Sequence, residues 1–147
     1  MSSTAAFDDL ELAAWHGMLR THARVIRALD EQLARRHGVS VSEFDVLITL
    51  ANAPRGQLRM TELAGAVMLS PSGLTRLVAR LENQSLIQRR PAGDDGRSYQ
   101  ASLTTAGQAK LDEARPTHNA VIRELFLDRV QQRDRVALAR AWRTADR

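Results

Sequence analysis

The residues whose types and spacing are best suited to chemistry lie between positions 70 and 80. Ser70 is a favourable helix N-cap and Pro71 suits the first helical position, so we predict a helix over residues 71–83. Its apolar residues recur at helical spacing and predict a buried stripe: Leu74, Leu77, Val78 and Leu81. The other faces carry small hydrogen-bonding groups and arginines: Ser72, Gly73, Thr75, Arg76 and Arg80. Such groups at a helix start can bind base edges in a DNA major groove, or a phosphate.

A second set of arginines follows this helix on a predicted β-hairpin. Residues 86–90 and 98–103 have strand character and enclose a loop rich in Gly and Asp, which predicts a wing over residues 86–103. The wing carries three arginines: Arg89, Arg90 and Arg97. An arginine on a thin hairpin can enter a narrow minor groove, and Asp95 is placed to orient the last of the three. Taken alone, each element has an alternative interpretation as a solvated charged surface.

The elements before residue 71 are all predicted to be helical. Three helices are predicted there: Asp9–His37, 42–53 and 61–68. Gly38 ends the first helix, while Ser42 and Thr61 are the predicted N-caps of the second and third. Only about three residues separate the third helix from the helix over 71–83, so this pair forms a helix-turn-helix.

Two further helices are predicted after the wing. The first begins at Thr104 or Thr105 and is interrupted at Pro116, and the last contains Val136 and Trp142. The order α-α-α-α-β-β-α-α describes a mainly α fold with a small β wing, a winged helix-turn-helix. A first helix of nearly 30 residues is longer than a small domain needs, which indicates packing against a second chain.

The composition excludes several classes of function. The chain has 147 residues and no Cys, which fits one domain without disulfides, thiolate metal sites or a cysteine nucleophile. Its four His share no metal-ligand spacing, and no phosphate loop or nucleophile elbow is present, so we predict neither an enzyme nor a cofactor. No secretory signal or membrane span is apparent, which predicts a cytoplasmic protein.

The net positive charge lies in the part of the chain after residue 54, which includes the predicted helix-turn-helix. Residues 1–54 carry a net charge of −2, whereas residues 55–97 and 98–147 each carry +3, for a total of +4. Of the 21 basic residues, 20 are arginine, whose planar fork suits phosphates and guanine edges. Base composition of the source genome is the alternative explanation of the arginine excess. The other binding class that this fold allows is a winged helix that docks on a protein, which would lack exposed recognition arginines.

Several runs in the central segment resemble the multiple-antibiotic-resistance regulator (MarR) family of winged-helix repressors. The similar runs are Met60–Ala64, Leu69–Val78, Arg80–Glu82, Asp95–Arg97 and Leu103–Gly107. The resemblance extends over about residues 8–145. Two positions differ from the family pattern: Ser85 stands where a turn glycine is usual, and Gly96 stands where a second wing arginine is usual.

The resemblance implies a single MarR-type domain over residues 1–147 that forms a bacterial homodimer. Dimerisation helices are expected at 8–37 and 104–145, on either side of a DNA-binding lobe at 42–103. Each lobe would bind one half-site of a pseudo-palindromic operator in double-stranded DNA. The residues that the resemblance places on bases or phosphates are Ser70, Ser72, Thr75, Arg76 and the wing residue Arg97.

Members of this family commonly respond to small phenolic or anionic molecules bound between the dimerisation helices and the DNA-binding lobe. The positions here that would line such an effector pocket are Trp15, His16, Asp45 and Arg76. The alternative interpretation is structural, because Trp15 fits the apolar seam of the first helix and Asp45 suits a helix start.

Overall fold

The computed structural model describes residues 6–67, 69–93 and 97–146. The helices are α1 (Asp9–His37), α2 (Val41–Asn52), α3 (Met60–Ala66), α4 (Pro71–Asn83), α5 (Thr105–Leu125) and α6 (Gln132–Ala145). The strands are β1 (Gln57–Arg59), β2 (Ile87–Pro91) and β3 (Tyr99–Leu103). The predicted mainly helical winged helix-turn-helix is therefore confirmed.

The chain divides into two compact units, and the divisions fall within α1 and α5. One unit spans Asp30–His118 and contains almost the whole apolar core, with Phe44, Leu63 and Val78 fully buried. The other combines Met1–Leu29 with Asn119–Arg147. Its helices are therefore far less covered than those of the first unit.

Helix α1 has the predicted bounds, and Gly38 follows it in the left-handed conformation (φ 68°) that a helix-ending glycine adopts. Its apolar seam is covered unevenly along its length. Leu29 and Leu33 are buried, whereas Trp15 and Leu19 remain 52% and 43% exposed. The seam around Trp15 and Leu19 thus lacks a covering partner within its own described unit.

Two predicted N-caps were wrong, because helices α2 and α3 begin earlier than predicted. Helix α2 is capped by Ser40 rather than Ser42: the Ser40 hydroxyl accepts from the Glu43 amide at 3.1 Å, and the Glu43 carboxylate accepts from the Ser40 amide at 2.8 Å. Helix α3 begins at Met60, and Glu62 accepts from the Arg59 amide at 2.9 Å, so Thr61 lies inside the helix.

The sheet has three strands, one more than predicted. The order is β1-β3-β2, all antiparallel, with Leu58 opposite Ala101 and Arg89 opposite the same residue on the other side. Strand β1 is only three residues long, too short to show an alternating pattern. The predicted interruption at Pro116 was also wrong, because α5 continues through it.

The turn between α4 and β2 contains a residue in an unusual conformation. Ser85 has φ 59°, its amide donates to the Glu82 carbonyl at 2.8 Å, and the Leu86 amide donates to the Leu81 carbonyl at 2.9 Å. These two bonds around a left-handed residue form a Schellman motif, in which glycine is usual. Ser85 therefore keeps the turn despite lacking glycine's freedom.

Replacing Ser85 with Gly is expected to raise the free energy of unfolding by about 0.5–1 kcal/mol, because glycine removes the cost of a left-handed residue with a side chain. The Ser85 carbonyl, which accepts from the Thr104 hydroxyl, is retained in this variant. Urea denaturation at one protein concentration measures the change. Gln84→Gly is the matched control: Gln84 has φ −88°, so glycine there should destabilise. Equal destabilisation by both would contradict the prediction.

Within the ranges that the structure describes, no helix is long and apolar enough to span a membrane. The same described residues contain no group of three or more His, Asp or Glu arranged to hold a metal ion.

Candidate nucleic-acid interface

The start of α4 is shaped by its cap. Ser70 has an extended backbone, and its hydroxyl accepts from the Gly73 amide at 3.1 Å. Pro71 occupies the first helical position, where no N–H is needed. The Ser72 hydroxyl lies 3.4 Å from that of Ser70. Two hydroxyls therefore stand at the positive end of the helix, where an anion is favoured.

The first two turns of α4 are divided into a buried and an exposed face. Leu74, Val78 and Leu81 of the predicted stripe are buried, whereas Leu77 is only partly buried. Ser72 and Arg76 are exposed. These two are four residues apart and therefore lie on the same face of the helix. The exposed face is the one that carries the hydrogen-bonding groups.

Thr75 shares this exposed face, but part of its hydrogen-bonding capacity is already used. Its hydroxyl donates to the Pro71 carbonyl at 2.8 Å. The oxygen lone pairs and the methyl group remain for a ligand, so Thr75 can accept from a base or contact a thymine methyl group.

The predicted arginines fall into two groups. Arg76 and Arg90 are exposed and make no ion pair within the part of the chain that the structure describes. Arg90 only approaches the Gln88 side-chain oxygen, at 3.4 Å. Both guanidinium groups are therefore available to an anionic partner.

Arg80 and Arg89 are instead held by carboxylates of the protein. Arg80 Nη2 lies 2.9 Å from Oε1 of Glu43, which is only 1% exposed, although the two groups are not aligned as a hydrogen bond. Arg89 Nε and Nη2 lie 2.9 and 2.7 Å from Oε2 of Glu82, whose Oε1 accepts from the Arg89 amide at 3.1 Å. The hydrogen bond to Glu82 raises the pKa of Arg89 above its usual value. The sequence did not reveal the contact of Glu43 with Arg80, because the two residues belong to different helices.

The wing is described except at its tip. Strands β2 and β3 form the predicted hairpin, and Arg97 is exposed just before β3. The described residues do not include Asp94, Asp95 and Gly96. The predicted orientation of Arg97 by Asp95 therefore stays a prediction.

The four residues predicted to line an effector pocket belong to different units. Trp15 and His16 are exposed on α1 in the Met1–Leu29 segment, whereas Asp45 and Arg76 are exposed on α2 and α4 in the other unit. Desolvation raises the pKa of the Asp45 carboxyl above its ordinary value, and the charge of His118 opposes that rise. The shared pocket therefore stays a prediction.

A cavity of about 440 Å³ lies elsewhere in the Asp30–His118 unit. It is bordered by Arg55, Gln88, Arg90 and the start of α5, and none of the predicted effector residues lines it. Its lining includes two arginines and no carboxylate, so it adds positive charge beside the wing.

The fold and the exposed start of α4 together define a winged helix-turn-helix protein. Comparisons with known proteins identify the family to which it belongs. The sequence model of the MarR family matches residues 37–98. Sco3205 of Streptomyces coelicolor, a MarR family transcriptional regulator solved in complex with DNA, is 29% identical with a TM-score of 0.91, covering 99% of this chain and 91% of its own. A MarR family transcriptional regulator from Silicibacter pomeroyi is 30% identical with a TM-score of 0.74, covering 95% and 96%.

A comparison with related sequences also finds transcriptional regulators. The transcriptional repressor MdtR of Bacillus subtilis is 26% identical over 121 residues, which are 82% of this chain and 74% of MdtR. The chain belongs to the MarR family and is a DNA-binding transcriptional regulator. Its relatives are regulators of transcription rather than enzymes.

Proposed function

We propose that the protein is a homodimeric cytoplasmic repressor that binds a pseudo-palindromic operator through α4 and the wing and is released by a small aromatic or anionic ligand. The observation that carries the DNA-binding mode is the exposed hydroxyl-rich start of α4 with the unpaired Arg76 on the same face. One α4 helix would enter the major groove of each half-site, with half-sites about one helical turn apart.

The proposed contacts divide by chemistry. Ser72, Thr75 and Arg76 would contact base edges in the major groove, because they combine acceptors, hydroxyls and a bidentate donor. The hydroxyl of Ser70 and the backbone at Gly73 would bind phosphate at the helix start. Arg90 and Arg97 would contact the backbone and the minor groove beside the wing.

The distribution of apolar surface supports the homodimer. Seven large hydrophobic side chains are exposed among the described residues: Phe7, Leu10, Trp15, Leu19, Tyr99, Val136 and Trp142. All but Tyr99 belong to the unit of Met1–Leu29 and Asn119–Arg147, whose buried apolar residues in the described chain are Leu29 and Val121. Exposed apolar surface of this kind marks a protein interface, and a second copy is the partner that such a symmetric operator requires.

Repression is the proposed direction of regulation because the relative MdtR is a repressor. The proposed effector site is the one formed by Trp15, His16, Asp45 and Arg76. Loss of the operator complex on addition of small aromatic carboxylates, followed by fluorescence anisotropy, tests this part separately from DNA binding.

Arg76→Ala tests the proposed binding mode. An operator is first selected from random duplex DNA by pull-down and sequencing, and an enriched inverted repeat is expected. The substitution should then lower affinity for that operator by about 1–3 kcal/mol, because Arg76 is expected to contact a base. Arg35→Ala, which removes an exposed arginine of α1, is the matched control and should have little effect. Unchanged affinity in Arg76→Ala would contradict the proposed mode.

A further inference from the structure

Two of the arginines on the predicted DNA-binding surface are bound to carboxylates of the chain, one beside α2 and one beside the wing. We propose that Arg80 and Arg89 are positioning residues: Glu43 and Glu82 hold them so that α4 is fixed against α2 and against β2. This inference rests on the proposed binding of DNA by α4 and assigns these two arginines a role other than phosphate contact.

The Glu43–Arg80 contact joins α2 to α4 through a buried charge. One oxygen of Glu43 accepts from the Ser40 amide, and the other lies 2.9 Å from Arg80 Nη2. Glu43 is only 1% exposed, so water cannot replace its partner readily. If Arg80 turned away to bind a phosphate, the buried carboxylate of Glu43 would lose its counter-charge. We therefore expect the contact between Glu43 and Arg80 to persist when the protein binds DNA.

The Glu82–Arg89 contact joins the last turn of α4 to the middle of β2, the first strand of the hairpin. The carboxylate of Glu82 accepts hydrogen bonds from the backbone amide and Nε of Arg89, and its Oε2 also lies 2.7 Å from Nη2 in an ion pair. A guanidinium group held at several points has a defined orientation, whereas a single charge contact leaves its orientation free. Because Arg89 pairs with Ala101 in the sheet, the direction of the whole wing is tied to the end of α4.

The two roles of Arg89 predict opposite effects for Glu82→Gln. If Arg89 contacts a phosphate, removal of a nearby negative charge should strengthen DNA binding. If Arg89 positions the wing, the same change weakens its attachment and operator affinity should fall. The sign of the change therefore distinguishes the roles.

The experiment measures operator affinity of the full chain at several salt concentrations for Glu82→Gln, Arg89→Gln and the double variant. We expect about a tenfold loss for each single variant, no further loss in the double variant, and an unchanged slope of log affinity against log salt. Glu31→Gln is the matched control, since it also removes a carboxylate that is paired with an arginine. This pair lies at an exposed site on α1, so the substitution should leave operator affinity unchanged.

A gain of affinity in Glu82→Gln, or a salt slope reduced by about one unit in Arg89→Gln, would overturn the role of Arg89. Arg80→Gln applies the same slope criterion to Arg80: an unchanged slope in the folded fraction supports positioning, and a slope reduced by about one unit overturns it. Circular dichroism of each variant measures the folded fraction. The Arg76→Ala variant separates the two proposals. If the proposed function is wrong, this substitution does not change operator affinity. If only the present inference is wrong, Arg76→Ala still lowers operator affinity.

Discussion

Replacing Leu19 with Glu is expected to convert the protein to a monomer and to lower operator affinity by about 100-fold or more. Leu19 is 43% exposed and lies on the same α1 seam as Trp15. At the proposed interface the new carboxylate would be desolvated without a partner, which opposes association. A dimer binds both half-sites together, and loss of that second contact accounts for a factor of about 10²–10⁴.

Analytical ultracentrifugation at micromolar concentration measures the association, and anisotropy measures operator binding. Ala13→Glu is the matched control, because it adds the same charge at an exposed α1 position on another face of the helix. We expect the control to remain dimeric. The Asp30–His118 unit should stay folded in both variants, since it has its own core. A Leu19→Glu protein that remains a dimer would contradict the proposed interface.

The parts of the fold that could be predicted from the sequence are those governed by local rules. The 29 residues of α1 have apolar residues at a regular helical period and end at a glycine, so both bounds were predicted as observed. Ser70 and Pro71 likewise marked the start of α4 by their own conformational preferences. In each case the residues that set the boundary are neighbours in the chain.

The parts that could not be predicted depend on residues distant in the chain. Strand β1 exists because Gln57–Arg59 pair with β3, more than 40 positions later, and three residues carry no pattern of their own. Ser40 rather than Ser42 caps α2 because Ser40 and Glu43 form a capping box. The second carboxylate oxygen of Glu43 lies against Arg80, a residue distant in the chain. For the same reason the sequence could locate the arginines of the candidate site without separating the paired Arg80 and Arg89 from Arg76 and Arg90.

The resemblance to the MarR family included the run Leu103–Gly107, and the structure supplies a physical reason for its glycine. Thr104 caps α5 by accepting from the Gly107 amide at 3.0 Å, and its own amide donates to the Leu86 carbonyl at 3.1 Å. The first turn of α5 is thus bound to the turn that follows α4. A Cβ atom at position 107 would lie 2.0 Å from the Leu86 oxygen and 2.9 Å from its carbonyl carbon. Only glycine permits this approach.

Gly107→Ala is therefore expected to lower the free energy of unfolding by about 3 kcal/mol, since the two nearest atoms that the new Cβ meets belong to the backbone and cannot rotate away. Urea denaturation at a fixed protein concentration measures the loss. Gly65→Ala is the matched control: nothing lies within 4 Å of a Cβ built there, on α3, so alanine should stabilise that helix by about 0.5–1 kcal/mol. If the two alanine variants were equally stable, α5 would not approach the Leu86 carbonyl as closely as the structure places it. A large loss at position 107 alone would instead establish that the turn after α4 and the start of α5 are held together through this backbone contact.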